Sequence, residues 1–221
     1  MQKKVAIIHT SFVSVEELKR LFGEIAPSVK VYHIVDDSLL QEVLANGGVT
    51  EGVAGRMTQY AKQAESIGVD LVLNQCSSVG EAAATAREHI DVPLLRVDEA
   101  MAEEAVARGK RIGVVATLET TLGPTVRLIE AKAREAGQEV AVTSRLCAGA
   151  FDCLVQGNRD RHNEMVLQAI RELAAETDVV VLAQGSMVAL LPLLDANPAP
   201  VPVLTSLRSG VRRAADMLLR M

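Results

Sequence analysis

Along the chain, short continuous apolar runs alternate with longer amphipathic stretches. The runs are KVAIIHT (4–10), VKVYHIV (29–35), VDLVLNQ (69–75), VPLLRV (92–97), RIGVVAT (111–117), EVAVTSRL (139–146), DVVVLAQ (178–184) and VPVLTS (201–206). They are rich in β-branched residues and lack the strict alternation of a half-exposed strand, the pattern of parallel strands covered on both faces. Between them, segments such as VTEGVAGRMTQYAKQAESIG and DRHNEMVLQAIRELAAET space apolar residues three and four apart, as a helix with one buried face does. The alternation predicts an α/β protein assembled from βαβ units.

The pattern is also written twice. KVAIIHT matches RIGVVAT, with Thr10 opposite Thr117. VLANGG matches LVQGN, with Gly47 opposite Gly157, and LVLNQCSS matches VVLAQGSM, with Gln75, Cys76 and Ser77 opposite Gln184, Gly185 and Ser186. Three matches in register at offsets of 107 to 110 predict two similar lobes, each with a four-stranded parallel sheet flanked by helices and related by a pseudo-twofold. The segments VDEAMAEEAVARG (97–109) and LRSGVRRAADMLLRM (207–221) close the two halves and can exchange between them. The first lobe is therefore drawn as 1–97 plus 207–221 and the second as 98–206, with soft boundaries. Open parallel sheets bind ligands beyond the carboxyl ends of their strands, so two facing lobes would enclose one small site between equivalent loops.

Composition narrows the classes. With 221 residues, 49% of them hydrophobic, there is material for a substantial core. Charges of both signs are interspersed at a net charge of −5, so no basic stripe marks a nucleic-acid surface. No apolar run approaches the ~20 residues that span a bilayer, and MQKKVAIIHT has too short an apolar segment for a signal peptide. Membrane and nucleic-acid partners are not expected. Three cysteines without metal-ligand spacing fit a reducing compartment, and a cytoplasmic location is the expectation. The Gly-Gly of NGGVT (46–50) lacks the lysine and glycine spacing of a phosphate loop, so neither a nucleotide cofactor nor a metal is implied.

The candidate chemistry gathers at strand ends. Cys76 follows a buried strand and precedes the helix GEAAATAREHI, with Ser77 and Ser78 available as amino-terminal caps. Ionising a free thiol of pKa ~8.5 at neutral pH costs about 2 kcal/mol. A helix amino terminus returns ~0.3 to 1 kcal/mol, and up to ~2 when partly buried, so the position suits a reactive thiol as well as a small buried one. Hydroxyls recur at the same edge: Thr10 and Ser11, Ser77 and Ser78, Thr117, Thr120 and Thr121, and Ser186. Together with helix-start amides they form neutral anion sites matched to a carboxylate, although capping explains any one of them. His9 sits beside Thr10 as a structural residue or a proton-transfer group, and His162 is expected on a helix surface. Cys147 and Cys153 are expected to pack, and Arg56 and Arg145 to be solvated.

The NQCSSVGEA and LAQGSM turns, the RIGVVATLETT strand and the AGAFDCLVQGNRDRHNEM stretch resemble the aspartate/glutamate racemase superfamily. That group includes hydantoin racemases, maleate isomerase and arylmalonate decarboxylase. The resemblance implies a cofactor-independent isomerase of a small carboxylate or amino-acid-like substrate, and a homodimer or larger assembly. In the family's racemases two cysteines face each other across the substrate, one removing and one delivering a proton. Carried over, Cys76 is the first of the pair, Ser77 and Ser78 bind the carboxylate, and Thr10, Ser11, Thr117, Thr121 and Ser186 are further contacts. Gly185 stands where the second cysteine belongs. The resemblance therefore leaves three enzyme readings, an isomerase pairing Cys76 with His9 or a water, a single-cysteine decarboxylase, or a double-bond isomerase with Cys76 as nucleophile, and beside them a carboxylate-binding protein that has lost its chemistry.

Overall fold

The structure, a computed structural model, describes Gln2 to Met221. All eight apolar runs form strands. The first half folds as β1 (Lys4–His9), α1 (Val15–Ile25), β2 (Lys30–Val35), α2 (Ser38–Asn46), α3 (Glu51–Ser66), β3 (Leu71–Asn74), α4 (Gly80–Arg87), β4 (Leu94–Arg96) and α5 (Glu99–Arg108). The second continues with β5 (Arg111–Ala116), α6 (Glu119–Glu135), β6 (Ala141–Leu146), α7 (Ala150–Val155), α8 (Arg159–Ala174), β7 (Val179–Leu182), α9 (Leu191–Ala196), β8 (Val203–Thr205) and α10 (Ser206–Arg220).

The strands form two all-parallel sheets of four, ordered β2-β1-β3-β4 and β6-β5-β7-β8. One compact unit comprises Met1–Glu99 with Leu207–Met221, and the other Ala100–Ser206. Thus α5, which ends the first half of the sequence, supplies Met101, Ala102, Ala105 and Val106 to the second unit's core. The bulk of α10 belongs to the first. Central strands are the most apolar because both their faces are covered: Val5 to Ile8, Leu71 to Leu73 and Val179 to Leu182 are wholly buried. The outer strand β6, AVTSRL, is largely exposed and correspondingly polar. No helix among the described residues is long and apolar enough to cross a membrane.

The matched glycines of the two halves end helices. Gly47 and Gly157 have φ of 71° and 83°, the left-handed region that glycine enters without steric cost. In each case the following amide bonds five residues back, Gly48 N–H to the Val43 carbonyl at 3.0 Å and Asn158 N–H to that of Cys153 at 2.8 Å. Both are Schellman closures. This piece of the internal repeat records chain geometry rather than a ligand loop.

The C-terminal helix is seated by close backbone approach. A Cβ on Gly210 would lie 2.4 Å from the Val97 carbonyl oxygen and 3.0 Å from its Cα, where only backbone could yield. Gly210→Ala is expected to lower stability by about 1 to 3 kcal/mol in urea unfolding. Gly55→Ala, in the exposed part of α3 with open space around it, is expected to raise stability by up to ~1 kcal/mol in the same assay.

Candidate active site

In each sheet the connections leaving two adjacent central strands run to opposite sides, β1 towards β2 and β3 towards β4. Loops diverge at such a switch point and leave a crevice at the carboxyl edge. Thr10 and Ser11 follow β1 there, and Gln75 and Cys76 follow β3. In the second sheet the same positions, after β5 and β7, hold Thr117, Gln184 and Gly185.

Cys76 is partly buried and packs against the apolar cluster that lines the α2, α3 and α4 side of the first sheet. Its backbone is extended (φ −113°, ψ 122°) and opens a 3₁₀ turn, Ser77–Val79, that runs into α4. The two serines therefore lie within the turn, immediately ahead of α4. Asn74, the last residue of β3 and buried, reaches forward over the turn. Its Nδ2 donates to the Cys76 carbonyl at 2.9 Å, and its Oδ1 accepts from the Cys76 N–H at 3.4 Å.

Two further contacts hold this corner. Gln75 Nε2 donates to Ser14 Oγ at 3.1 Å in a buried bond, tying the loop after β1 to the residue before Cys76. Below α4, the buried Arg96 guanidinium lies against Gly80, where a Cβ would sit 2.4 Å from Cζ. Arg96 is fixed there by a two-bond pair to Asp98, Nε–Oδ1 3.0 Å and Nη2–Oδ2 2.9 Å. Burial opposes its charge, but the carboxylates of Asp98, Glu99 and Glu81 outweigh that cost and raise its pKa. Sequence reasoning passed over Asn74, Arg96 and Asp98. Only the spacing Arg-Val-Asp directly after an apolar strand hinted at the pair.

His9 is wholly buried. Ala6 and Ile8 face the α2–α4 cluster against which Cys76 packs, so His9, by strand alternation, points to the opposite face. There its Nε2 lies 3.0 Å from Nδ1 of His33, and its own Nδ1 is buried with no hydrogen-bond partner in the protein. Burial, with the His33 charge second, pushes the His9 imidazole down to about 4. Burial and the Lys19 ammonium likewise lower His33, against the opposing pull of Glu16.

The other candidates sort by neighbourhood. Thr10, Ser77, Ser78, Thr117 and Thr121 are all buried, and Ser11, Gly185 and Ser186 are half-buried. Gln184 repeats the role of Gln75 on its own sheet: its Oε1 accepts from the Thr117 N–H at 2.6 Å, and its Nε2 donates to Thr117 Oγ1 at 2.8 Å. Arg56 bonds Asp36, Ser38 and Glu42 in a network that Tyr60 joins through Asp36. Arg145 is half-exposed beside Glu172 and Glu176. Cys147 is buried, its thiol 3.8 Å from the Met165 carbonyl; burial, then Glu172, pushes that thiol's pKa up. Cys153 lies half-buried on the short α7. His162 corrects the surface assignment: it is buried on α8, its Nδ1 3.0 Å from Asn163 Oδ1.

Two outcomes are expected. A buried neutral His9 means the unfolded chain takes up a proton that the folded chain does not, so stability rises with pH between about 4 and the ordinary imidazole value. Acidification through that window is expected to cost on the order of 3 kcal/mol, measured as urea midpoints against pH, and the slope is expected to flatten in His9→Gln. Gly80→Ala must displace the pinned Arg96 head, with an expected loss of about 1 to 3 kcal/mol by the same measurement; no loss would mean that the guanidinium swings aside without cost.

Comparisons with known proteins agree with this architecture. Over 98% of this chain and 99% of theirs, it superimposes on a putative Asp/Glu racemase from Yersinia pestis at a TM-score of 0.77 and 16% identity. An allantoin racemase from Pseudomonas fluorescens matches at 0.69 and 18% identity, over 98% of this chain and 91% of the other. A liganded arylmalonate decarboxylase, in a variant with one glycine changed to cysteine and one cysteine to serine, matches at 0.58 and 16%, over 98% and 92%. Among proteins of curated function the sequence finds no significant match. The family model for Asp/Glu/hydantoin racemases matches residues 6–214, nearly the whole chain, and the protein belongs to that family.

Proposed function

We propose that the protein is a cofactor-independent isomerase that moves a proton at the carbon next to the carboxylate or carbonyl of a small substrate, with Cys76 as its acid/base group. The observation that carries this reading is the placement of Cys76 at the carboxyl end of β3, beside the switch point of the first sheet. The names of its structural neighbours, racemases of aspartate, glutamate and allantoin, support the reaction class.

In this reading the Cys76 thiolate takes the Cα proton, and its electron pair passes into an enediolate held by hydrogen-bond donors. Thr10, Ser11, Ser77 and Ser78 are proposed as those donors on the first unit. Because Gly185 has no side chain and His9 is bonded to His33, a water is proposed to deliver the second proton, and Cys76 then returns its own to the hydroxide formed.

A single-cysteine decarboxylase is the second reading, favoured by Gly185 and by the decarboxylase among the neighbours. There the substrate loses carbon dioxide and the Cys76 thiol protonates the carbanion. The two separate by NMR of candidate acids in deuterium oxide. Isomerisation is expected to place deuterium at Cα with loss of optical activity; loss of a carboxylate signal selects decarboxylation instead. Cys76→Ala is expected to cut either rate by about 10² to 10⁴. Turnover that survives Cys76→Ala sinks both, and binding of acids without exchange or carbon dioxide release leaves a carboxylate-binding protein.

A further inference from the structure

Asn74 is buried at the end of β3. Its own backbone is fixed from both sides, paired with Ile8 on β1 and with Arg96 on β4, and its carbonyl accepts from Val97 N–H at 2.9 Å. From that anchored base the carboxamide spans two residues forward and engages both peptide groups of Cys76, the carbonyl at 2.9 Å and the amide at 3.4 Å. A side chain that bonds N–H and C=O of one residue together fixes the direction in which that residue's Cα–Cβ bond leaves the chain.

The second unit supplies an internal control. It also makes a 3₁₀ turn after β7, Gly185–Leu190, which opens one residue earlier in the matched register, after Gln184 rather than after the residue opposite Cys76. It does so with Ala183 in the position of Asn74. A 3₁₀ turn thus forms at this edge without a carboxamide at the matched position, but in a different register. What repeats in both units is the glutamine that ties the loop of the neighbouring strand, Gln75 to Ser14 and Gln184 to Thr117. What occurs in one unit only is the thiol together with its bracket.

We propose that Asn74 is a positioning residue for Cys76, holding the thiol in the orientation from which it exchanges a proton with substrate. The proposal rests on Cys76 being the reacting group. Proton transfer falls steeply with misplacement, and about 1 Å can cost ~10²-fold in rate. Substrate binding, by contrast, draws on hydroxyls that Asn74 does not touch in any bond described above. Removing the carboxamide is therefore expected to act on kcat and spare KM.

The test uses the full-length protein and two variants. In Asn74→Ala, kcat for whichever acid the wild type turns over is expected to fall about 10- to 100-fold, with KM within about twofold. Asn74→Asp keeps the size and the acceptor but loses the donor and places an anion beside Cys76. The pH midpoint of Cys76 alkylation by iodoacetamide, followed by mass spectrometry with Cys76→Ala as the blank, is expected to move upward in that variant by about one unit. An Asn74→Ala enzyme that keeps its kcat overturns the proposal. Should no acid be turned over at all, the functional reading falls by itself, and the alkylation arm still decides: an unmoved midpoint in Asn74→Asp overturns the positioning role.

Discussion

Parallel pairing forces every strand of a sheet to end on the same edge, and the order 2-1-3-4 forces the chain to leave the two central strands in opposite directions. Everything chemical in this protein follows from that arrangement. The buried runs Val5 to Ile8 and Leu71 to Leu73 lock β1 against β3, and wherever their burial ends the chain must turn polar within one or two residues. Ser11 and Cys76, the first residues past the two strands that are only partly buried, are those turning points. The apolar core thus does more than stabilise the fold, since it decides where the first solvent-facing residue of each loop appears.

That edge must also be stiff, and the first unit stiffens it with buried polar contacts. Gln75 bonds Ser14, Asn74 bonds Cys76, and Arg96 bonds Asp98 beneath Gly80. Buried polar groups are costly unless satisfied and directional once they are. Apolar side chains at these positions would fill the space without choosing an angle for the turn. The Arg96–Asp98 pair is a case in point: a cation set at the amino-terminal end of α4 works against the helix dipole, and the adjoining carboxylates of Asp98, Glu99 and Glu81 offset it.

What the sequence made legible divides along the same line. The eight strands were readable because a strand covered on both faces leaves a continuous β-branched run, and the lobes because two such series stand in register. Gly47 and Gly157 were readable as a repeat, and their left-handed φ explains it. Asn74, Arg96 and the His9–His33 pair were not readable in their roles, because each depends on cross-strand register. His33 comes opposite Ile7 and Asn74 opposite Arg96 only once β1, β2, β3 and β4 are aligned. His162 was misjudged for a related reason: one polar residue in a helix-start sequence gives no sign of which neighbour covers it. Local pattern reports burial along one element, whereas a polar contact reports the meeting of two.

The sequence repeat sets a glycine, Gly185, opposite Cys76, and under the proposed function this bears on what kind of substrate a single thiol can serve. General acid or base assistance at one site contributes about 10² to 10⁴ in rate, which is about 3 to 5 kcal/mol of barrier. If Cys76 is the only such group, that amount is missing on one face of the carbanion and must come from elsewhere. Hydroxyl and amide donors at the sheet edge can stabilise the enediolate, but they stabilise it equally whichever face is protonated, so they do not substitute for a second acid. The remaining source is the substrate itself. A carbon acid already activated by a second electron-withdrawing group forms a carbanion that lives long enough for water to reach it, whereas an unactivated one does not. In the proposed reaction, a single thiol would therefore shift the burden of catalysis to the acidity of the bond being broken.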